Sequence, residues 1–523
     1  MPQEGHYVGA VETVGGMLAR QARQCPDKTA LIHRASRLSF GELHGQSNRF
    51  ANHLLTIGLQ PGDRVGFLVE KTADALVAFL GVAAAGGVFF PIPNHETDAH
   101  IQAVLELTRP FTLVVSSKLA ARLAGWTLPC APANVVVLDG GPASGGTAWA
   151  DALHGSIPAP PPVRPSADET VYLNMTSGTT GQPKAAITTH ANIFWNTVSS
   201  VERLRLTGAD VHLCMFPVAG HPHELFARPL YLGGTMVLLD RIAPAGIFAA
   251  VREQGVTCLM ATASIYQSMV QYHELHGGGP GRLTLAESGG MRVSPALAWR
   301  FSACFGLPLL PVWGSTETAG IALANCPGEL FKPGSVGRPC PYYEMRLLDA
   351  QGAEVGPDEP GELLVRGPAV CADYLGEAGA SERQLRDGWF HTGDLFRRDA
   401  DGCFFFMGRQ SGLIKKAGVK IYPTELEDVL GEHPAIREVA VVGVPDATHG
   451  EVPKAVIVLR PGAVLTAADV LCFARQHLAP YKLPAIIEFV PELPKTPGGK
   501  ILHRELAGIA PATAAPAEPG PRA

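Results

Sequence analysis

No two of the ten cysteines, which are spread from Cys25 to Cys472, stand at C-x-x-C spacing, and no histidine cluster accompanies any of them. That pattern argues against a disulfide framework or a structural zinc site and for reduced, buried thiols. Lysine and arginine runs are missing as well. The 42 basic and 48 acidic residues leave a net charge of −6, with no basic face of the kind that holds nucleic acid. The N-terminus lacks the basic-then-apolar pattern of a secretory signal. No long apolar run is unbroken. The longest, Ala75 to Ile92, reaches the length of a membrane span, but Gly86, Gly87 and Pro91 interrupt it and Val88, Phe89 and Phe90 read as a strand. A buried helix, a glycine turn and a core strand are expected there. These absences predict a soluble, cytoplasmic protein with no membrane span and no nucleic-acid partner.

The chain does have ample apolar material. Hydrophobic residues make up 46% and charged residues 17% of 523 positions, too many for one core, so at least two domains are expected. Ser39 and Glu42 form a capping box ahead of a helix carrying Leu43, Phe50, Leu54 and Leu55. Helix, turn and fully apolar strand then recur, as at Val65–Val69, Thr112–Ser116, Val135–Leu138, Thr235–Leu239 and Thr257–Met260. Continuous rather than alternating apolar strands predict sheets covered by helices on both faces. Gly140–Ser166, with Pro158 and Pro160–Pro162, reads as a surface loop. Near Arg409–Gly412 the elements become short. They include a helix from Thr424 with Glu427 as capping box, and another from Thr466 with Asp469 in the same role. The fold class is therefore α/β: a large N-terminal domain (1–409), a small α+β C-terminal domain (410–508) and an Ala/Pro-rich disordered tail (509–523).

The strongest local signal is Thr176-Ser177-Gly178-Thr179-Thr180-Gly181-Gln182-Pro183-Lys184, directly after the apolar strand Val171–Met175. Hydroxyls and glycines let backbone and side-chain donors approach phosphate oxygens, and a lysine adds positive charge. It is not a Walker A loop, which needs Gly-Lys adjacent before Ser/Thr. The composition also suits a polar surface turn, but Pro183-Lys184 after two Thr and two Gly argues against one. The segment resembles the phosphate loop of the adenylate-forming superfamily, which includes acyl-CoA synthetases, peptide-synthetase adenylation domains and luciferases. The resemblance runs in order through nearly the whole chain to about Leu506.

Further motifs agree. Trp313-Gly314-Ser315-Thr316-Glu317 is similar to the family segment whose Thr and Glu lie near the α-phosphate and Mg²⁺ and whose leading aromatic, usually Tyr, lies against adenine. A glutamate is a suitable hard oxygen ligand for Mg²⁺. Ser288-Gly289-Gly290-Met291 resembles the glycine-rich strand end beside adenine and the acyl group. Trp389-Phe390-His391-Thr392-Gly393-Asp394 supplies the carboxylate that suits a vicinal ribose diol, and Arg409 matches a second ribose or phosphate contact. Ile414-Lys415-Lys416-Ala417-Gly418-Val419-Lys420-Ile421 matches the loop lining the tunnel for an incoming thiol, with Gly418 allowing close backbone approach. In Pro494–Ile501, Lys500 matches the catalytic lysine, whose ammonium would stabilise charge at the α-phosphate.

Two places depart from the family pattern. Ser411 stands at the hinge, where many relatives carry Asp or Lys. The acyl-pocket segment Phe216–Glu224 contains His221, His223 and Glu224, with Arg228 nearby, and is unusually polar for a plain fatty chain. The alternative is that one histidine is the aromatic gate of acyl-CoA synthetases and the rest face solvent. The resemblance implies ATP, Mg²⁺ and CoA as co-substrate, a small mobile domain, and activation of a carboxylic acid as its acyl-AMP. An aromatic or small polar acid is favoured over a long fatty acid. A stand-alone enzyme loading an acyl carrier protein shares every motif. A non-thiol acceptor, or a binding protein that kept only the nucleotide site, are the remaining readings. Homodimers are common in the family.

Overall fold

The computed structural model describes residues 9–92, 96–123, 125–127, 134–140, 146–177, 183–215, 222–329, 331–376, 379, 381, 384–495 and 501–508, with backbone alone at Thr176, Ser177 and 222–225. The chain divides into two compact units. One holds residues 1–289, 301–346 and 364–392; the other holds 290–300, 347–363 and 393–523.

In the first unit the hydrophobic pattern builds two sheets. One contains six parallel strands in the order Leu309–Ser315, Leu285–Ser288, Cys258–Ala261, Val211–Cys214, Thr235–Leu238 and Thr29–His33. Gly320–Ala324 and then Ser335–Pro339 extend it antiparallel at one end, and Ser36–Ser39 closes the other. The second sheet runs Tyr374–Leu375, Pro183–Thr189, Thr170–Ser177, Val88–Pro91, Arg64–Leu68, Thr112–Val115, Val135–Val137 and Thr147–Ala148. Between them lie helices whose apolar residues form one core with both sheets, among them Met17, Phe40, Phe50, Val77, Phe79, Ile193, Phe194 and Phe226. Helix Ala73–Ala84 is buried from Ala75 through Ala83, and a turn leads from it into Val88–Pro91. The apolar run is thus a core helix and strand. Among the described residues no helix is long and apolar enough to cross a membrane.

In the second unit a small sheet runs Val419–Ile421, Ile414–Lys416, Gly450–Leu459 and Ile436–Asp446, with Ile486–Phe489 parallel to Gly450–Leu459. Both faces of this sheet are apolar, one around Leu426, Leu430 and Val470 and the other around Val442, Val456 and Leu506.

The capping boxes at Ser39/Glu42 and Thr466/Asp469 are present. The one at Thr424/Glu427 is not: Tyr422 is the N-cap and Pro423 fills the first turn. Thr424 Oγ1 instead donates to the Met407 carbonyl, and Glu427 accepts the Val441 N–H. A fixed proline φ starts this helix without side-chain help. Within the expected loop Gly140–Ser166 there is also a helix, Trp149–His154, whose Trp149 is buried with its ring 4.9 Å from Phe50.

His190 opens the helix His190–Leu204 that follows the phosphate-loop hairpin. It is buried, and its Nδ1 accepts the Val14 N–H at 3.1 Å. Burial lowers its pKa from 6.5 to about 4. Between those values the unfolded chain binds a proton that the folded chain refuses, so stability falls as pH drops from 6.5 towards 4. His190→Asn keeps an acceptor without the titration. Urea melts of the variant should show a shallower loss of stability over this window than wild type.

Candidate active site

Parallel strands all end at the same edge of a sheet, and in open α/β sheets ligands bind outside those carboxyl ends. Along that edge of the first sheet come Met215, Thr262, Gly289 and the turn after Ser315. Gly289 donates its N–H to the Ala261 carbonyl at 3.2 Å, and a methyl there would sit 2.9 Å from Met260 Cε. Gly290 has φ +74, a conformation glycine favours. The Met215 carbonyl accepts Lys71 Nζ at 2.7 Å, and burial lowers that lysine to about 8.

The Trp313–Glu317 segment leaves the strand Leu309–Ser315 through a tightly braced turn. Trp313 is buried, and the ladder with Gly320–Ala324 shifts register between Trp313 and Gly314. Thr318 Oγ1 accepts the Ser315 N–H at 2.9 Å and lies 2.6 Å from the Gly320 carbonyl; Ala319 N–H donates to the Thr316 carbonyl. Asn196, from the helix after the hairpin, donates to the Ile321 carbonyl at 2.9 Å. Tyr343 donates to the Thr318 carbonyl at 2.6 Å. Thr316 is half-buried and Glu317 is buried. No sequence pattern announced Asn196 or Tyr343, because their contacts span the fold, whereas Thr318 braces the turn through local bonds to Ser315 and Gly320.

The hairpin carrying the phosphate-loop motif pairs Thr176 with Lys184 and Ser177 with Pro183. Gly178, Thr179, Thr180 and Gly181 lie outside the described residues, as do His221 and Lys500, the side chains of Thr176, Ser177, His223 and Glu224, and the tail 509–523. Lys184 is buried. Its Nζ donates to Gln384 Oε1 at 2.9 Å and stands over the Tyr374 ring, 4.3 Å from the centroid. The Tyr374 hydroxyl donates to Glu317 Oε1 at 2.7 Å, and the Cys371 N–H donates to the Glu317 carbonyl at 2.8 Å. The structure thus joins Lys184 and Glu317 through a tyrosine that the motifs did not reveal. Burial beside Glu317 pushes the Cys371 thiol well up, so it is un-ionised and no nucleophile at neutral pH.

Arg228 and Glu287 make a second buried group. Arg228 Nη1 is 2.9 Å from Glu287 Oε1, and its Nε donates to Ser200 Oγ at 3.0 Å. Arg228 lies on the helix Pro222–Leu232, which takes in the last three residues of the expected acyl-pocket segment, and Glu287 directly precedes Ser288-Gly289. Burial, with Arg228 nearby, lowers His212 to about 4.

In the second unit, Asp394 and Arg409 face each other across antiparallel strands Trp389–Arg398 and Phe404–Arg409, with Arg409 Nε 3.1 Å from Asp394 Oδ1. Asp394 is buried while the arginine is largely exposed. Ser411 lies in a 3₁₀ turn, Gln410–Gly412. Lys416 pairs with Val419 across a two-residue hairpin in which Ala417 and Gly418 have φ +48 and +84. Both values suit a type I′ turn. Lys416 Nζ donates to the Tyr481 carbonyl at 3.1 Å. An antiparallel bridge between Lys495 and Ile501 brackets the segment containing Lys500.

No group of three or more candidate metal ligands occurs among the described residues. Mg²⁺ needs only one or two carboxylates and completes its shell with substrate phosphates and water. Glu317 is a carboxylate that could serve in this way, and one of its oxygens accepts from the Tyr374 hydroxyl.

A methyl at Gly314 would meet the Gly320 carbonyl oxygen at 2.0 Å, whereas one at Gly412 meets nothing within 4 Å. Gly314→Ala should therefore destabilise the protein by about 1–3 kcal/mol and weaken ATP binding, and Gly412→Ala should do neither. Urea denaturation and calorimetric titration check both.

The family model described as AMP-binding enzyme matches residues 18–375, and that described as AMP-binding enzyme C-terminal domain matches 425–500. A feruloyl-CoA synthase from Amycolatopsis is 32% identical, over 94% of this chain and 98% of that protein. Among solved structures, the anthranilate CoA ligase AuaEII in complex with anthranoyl-AMP superposes with a TM-score of 0.88 at 25% identity, covering 96% of this chain and 98% of that one. ATP-bound MatB from Rhodopseudomonas palustris gives 0.86 at 30% identity, covering 95% and 98%. With both family models matched in order and a buried lysine–tyrosine–glutamate chain at the expected motifs, the protein belongs to the AMP-binding enzyme family, as an AMP-forming ligase that activates a carboxylic acid with ATP and transfers the acyl group to CoA.

Proposed function

We propose that the acid is aromatic or small and polar, and that the enzyme is an aryl-CoA ligase. The Arg228–Glu287 pair carries this reading. Glu287 directly precedes Ser288-Gly289, and Arg228 lies on the helix Pro222–Leu232, which also carries His223 and Glu224 of the polar segment. A buried ion pair is a poor wall for a long methylene chain, which gains only from apolar surroundings. The feruloyl and anthranoyl chemistry of the similar proteins points the same way.

In the first half-reaction a carboxylate oxygen attacks the α-phosphorus of ATP and pyrophosphate leaves. Such steps depend mainly on positioning and charge stabilisation. The loop Thr176–Lys184 holds the leaving phosphates. Trp313 lies against adenine beside Gly289 and Gly290, and Asp394 accepts the ribose hydroxyls with Arg409 next to it. Thr316 contacts the α-phosphate, and Glu317 would hold Mg²⁺, which neutralises phosphate charge when bound. Lys500 stabilises the charge developing at the α-phosphate. The domain from residue 410 then rotates at Ser411, withdrawing Lys500 and presenting Lys416 and Gly418 along the thiol path. The CoA thiolate attacks the acyl carbonyl and AMP leaves.

ATP–pyrophosphate exchange against benzoates, cinnamates, amino acids and aliphatic acids tests the acid. Exchange driven by aromatic or small polar acids supports the reading, and exchange with long-chain fatty acids alone overturns it. Lys500→Ala should abolish exchange while leaving CoA thioester formation from pre-made acyl-AMP nearly intact. Equal loss in both half-reactions would contradict rotation between two states.

A further inference from the structure

Tyr374 has no place in the mechanism above, yet it touches both charged groups of the phosphate site. It lies on a two-residue strand, Tyr374–Leu375, paired with Ala185 and Ala186 next to Lys184. Its side chain is buried. The ring face lies under the Lys184 ammonium at 4.3 Å, and the hydroxyl donates to one oxygen of Glu317 at 2.7 Å. The two contacts use separate parts of the side chain, the π face and the O–H.

We propose that Tyr374 is a positioning residue for the magnesium–nucleotide complex. Its hydroxyl occupies Glu317 Oε1, which orients the carboxylate and would leave its other oxygen to hold the ion. Its ring holds the Lys184 ammonium beside the hairpin base. The strand that carries Tyr374 is itself registered on the Lys184 strand, so the metal-binding carboxylate and the phosphate-binding lysine share one reference point. A hydrogen bond that orients a ligating carboxylate controls metal affinity more than fold stability. This inference rests on the assignment of Glu317 as the carboxylate that faces Mg²⁺.

The test uses the full-length enzyme and α,β-methylene-ATP, with neither acid nor CoA present, so nothing turns over. Calorimetric titration with and without Mg²⁺ gives the factor by which the ion tightens nucleotide binding. Tyr374→Phe keeps the ring and removes the hydroxyl. It should cut that factor about tenfold and leave the magnesium-free affinity within about twofold of wild type. Tyr374→Leu removes both contacts. It should cut the factor as much and also raise acetylation of Lys184 by an amine-reactive reagent, read by mass spectrometry, whereas Tyr374→Phe should leave Lys184 protected. Glu317→Gln should abolish the factor.

An unchanged factor in Tyr374→Phe, with Glu317→Gln losing it, overturns the proposal alone. So does an equal loss of affinity with and without Mg²⁺, which would mark a merely structural tyrosine. If Glu317→Gln keeps the factor, the assignment of Glu317 fails and takes the proposal with it. If Tyr374→Phe does not fold, Lys184 acetylation and the magnesium factor in Tyr374→Leu decide in the same way.

Discussion

Parallel pairing is the constraint on which the rest of this structure depends. Six strands of one sheet share a direction, so each must leave the sheet at the same edge. The last residues of those strands are consequently brought side by side, although the first and last of them in the chain, His33 and Ser315, lie far apart in sequence. The main-chain groups beyond the last ladder bond need partners or a ligand. At two of these ends the chain turns on glycines and hydroxyls, after Ser288 and after Trp313, and in open α/β sheets this edge is where ligands bind.

Charged side chains inside a folded protein must be held in place by partners. Lys184, Glu317, Arg228 and Glu287 are all buried, and a buried charge is costly without a partner. Each has one within hydrogen-bond or cation–π reach. The helix His190–Leu204 organises much of this. It starts at the end of the phosphate-loop hairpin, it sends Asn196 to the turn after Glu317, and its Ser200 accepts from Arg228. The hairpin, the turn after Glu317 and Arg228 therefore all hang on this one helix.

Much of the fold was legible in the sequence where the signal is contiguous. The Ala75–Ile92 run resolves into helix, turn and strand, as Gly86, Gly87 and Pro91 require, and two capping boxes appear where Ser39 and Thr466 stand. The Thr424/Glu427 box failed because Pro423 starts that helix and Glu427 is drawn to Val441 instead. Trp149–His154 escaped because six residues carry too little periodicity, and its position is set by Trp149 packing on Phe50. The described ends of two motif strings fall on a hairpin and on a turn after a strand. Tyr374 is 57 residues from Glu317 and Arg228 is 59 from Glu287. Contacts of that separation leave no local period to read.

The central claim is that the carboxylate bonds to the α-phosphorus of ATP before it meets the thiol. Turnover of an ¹⁸O-labelled carboxylic acid with ATP and CoA, followed by mass spectrometry of the phosphate products, tests it most directly. The account predicts one ¹⁸O in AMP for each thioester formed and none in pyrophosphate. Label in inorganic phosphate accompanied by ADP, or AMP free of label, would contradict it.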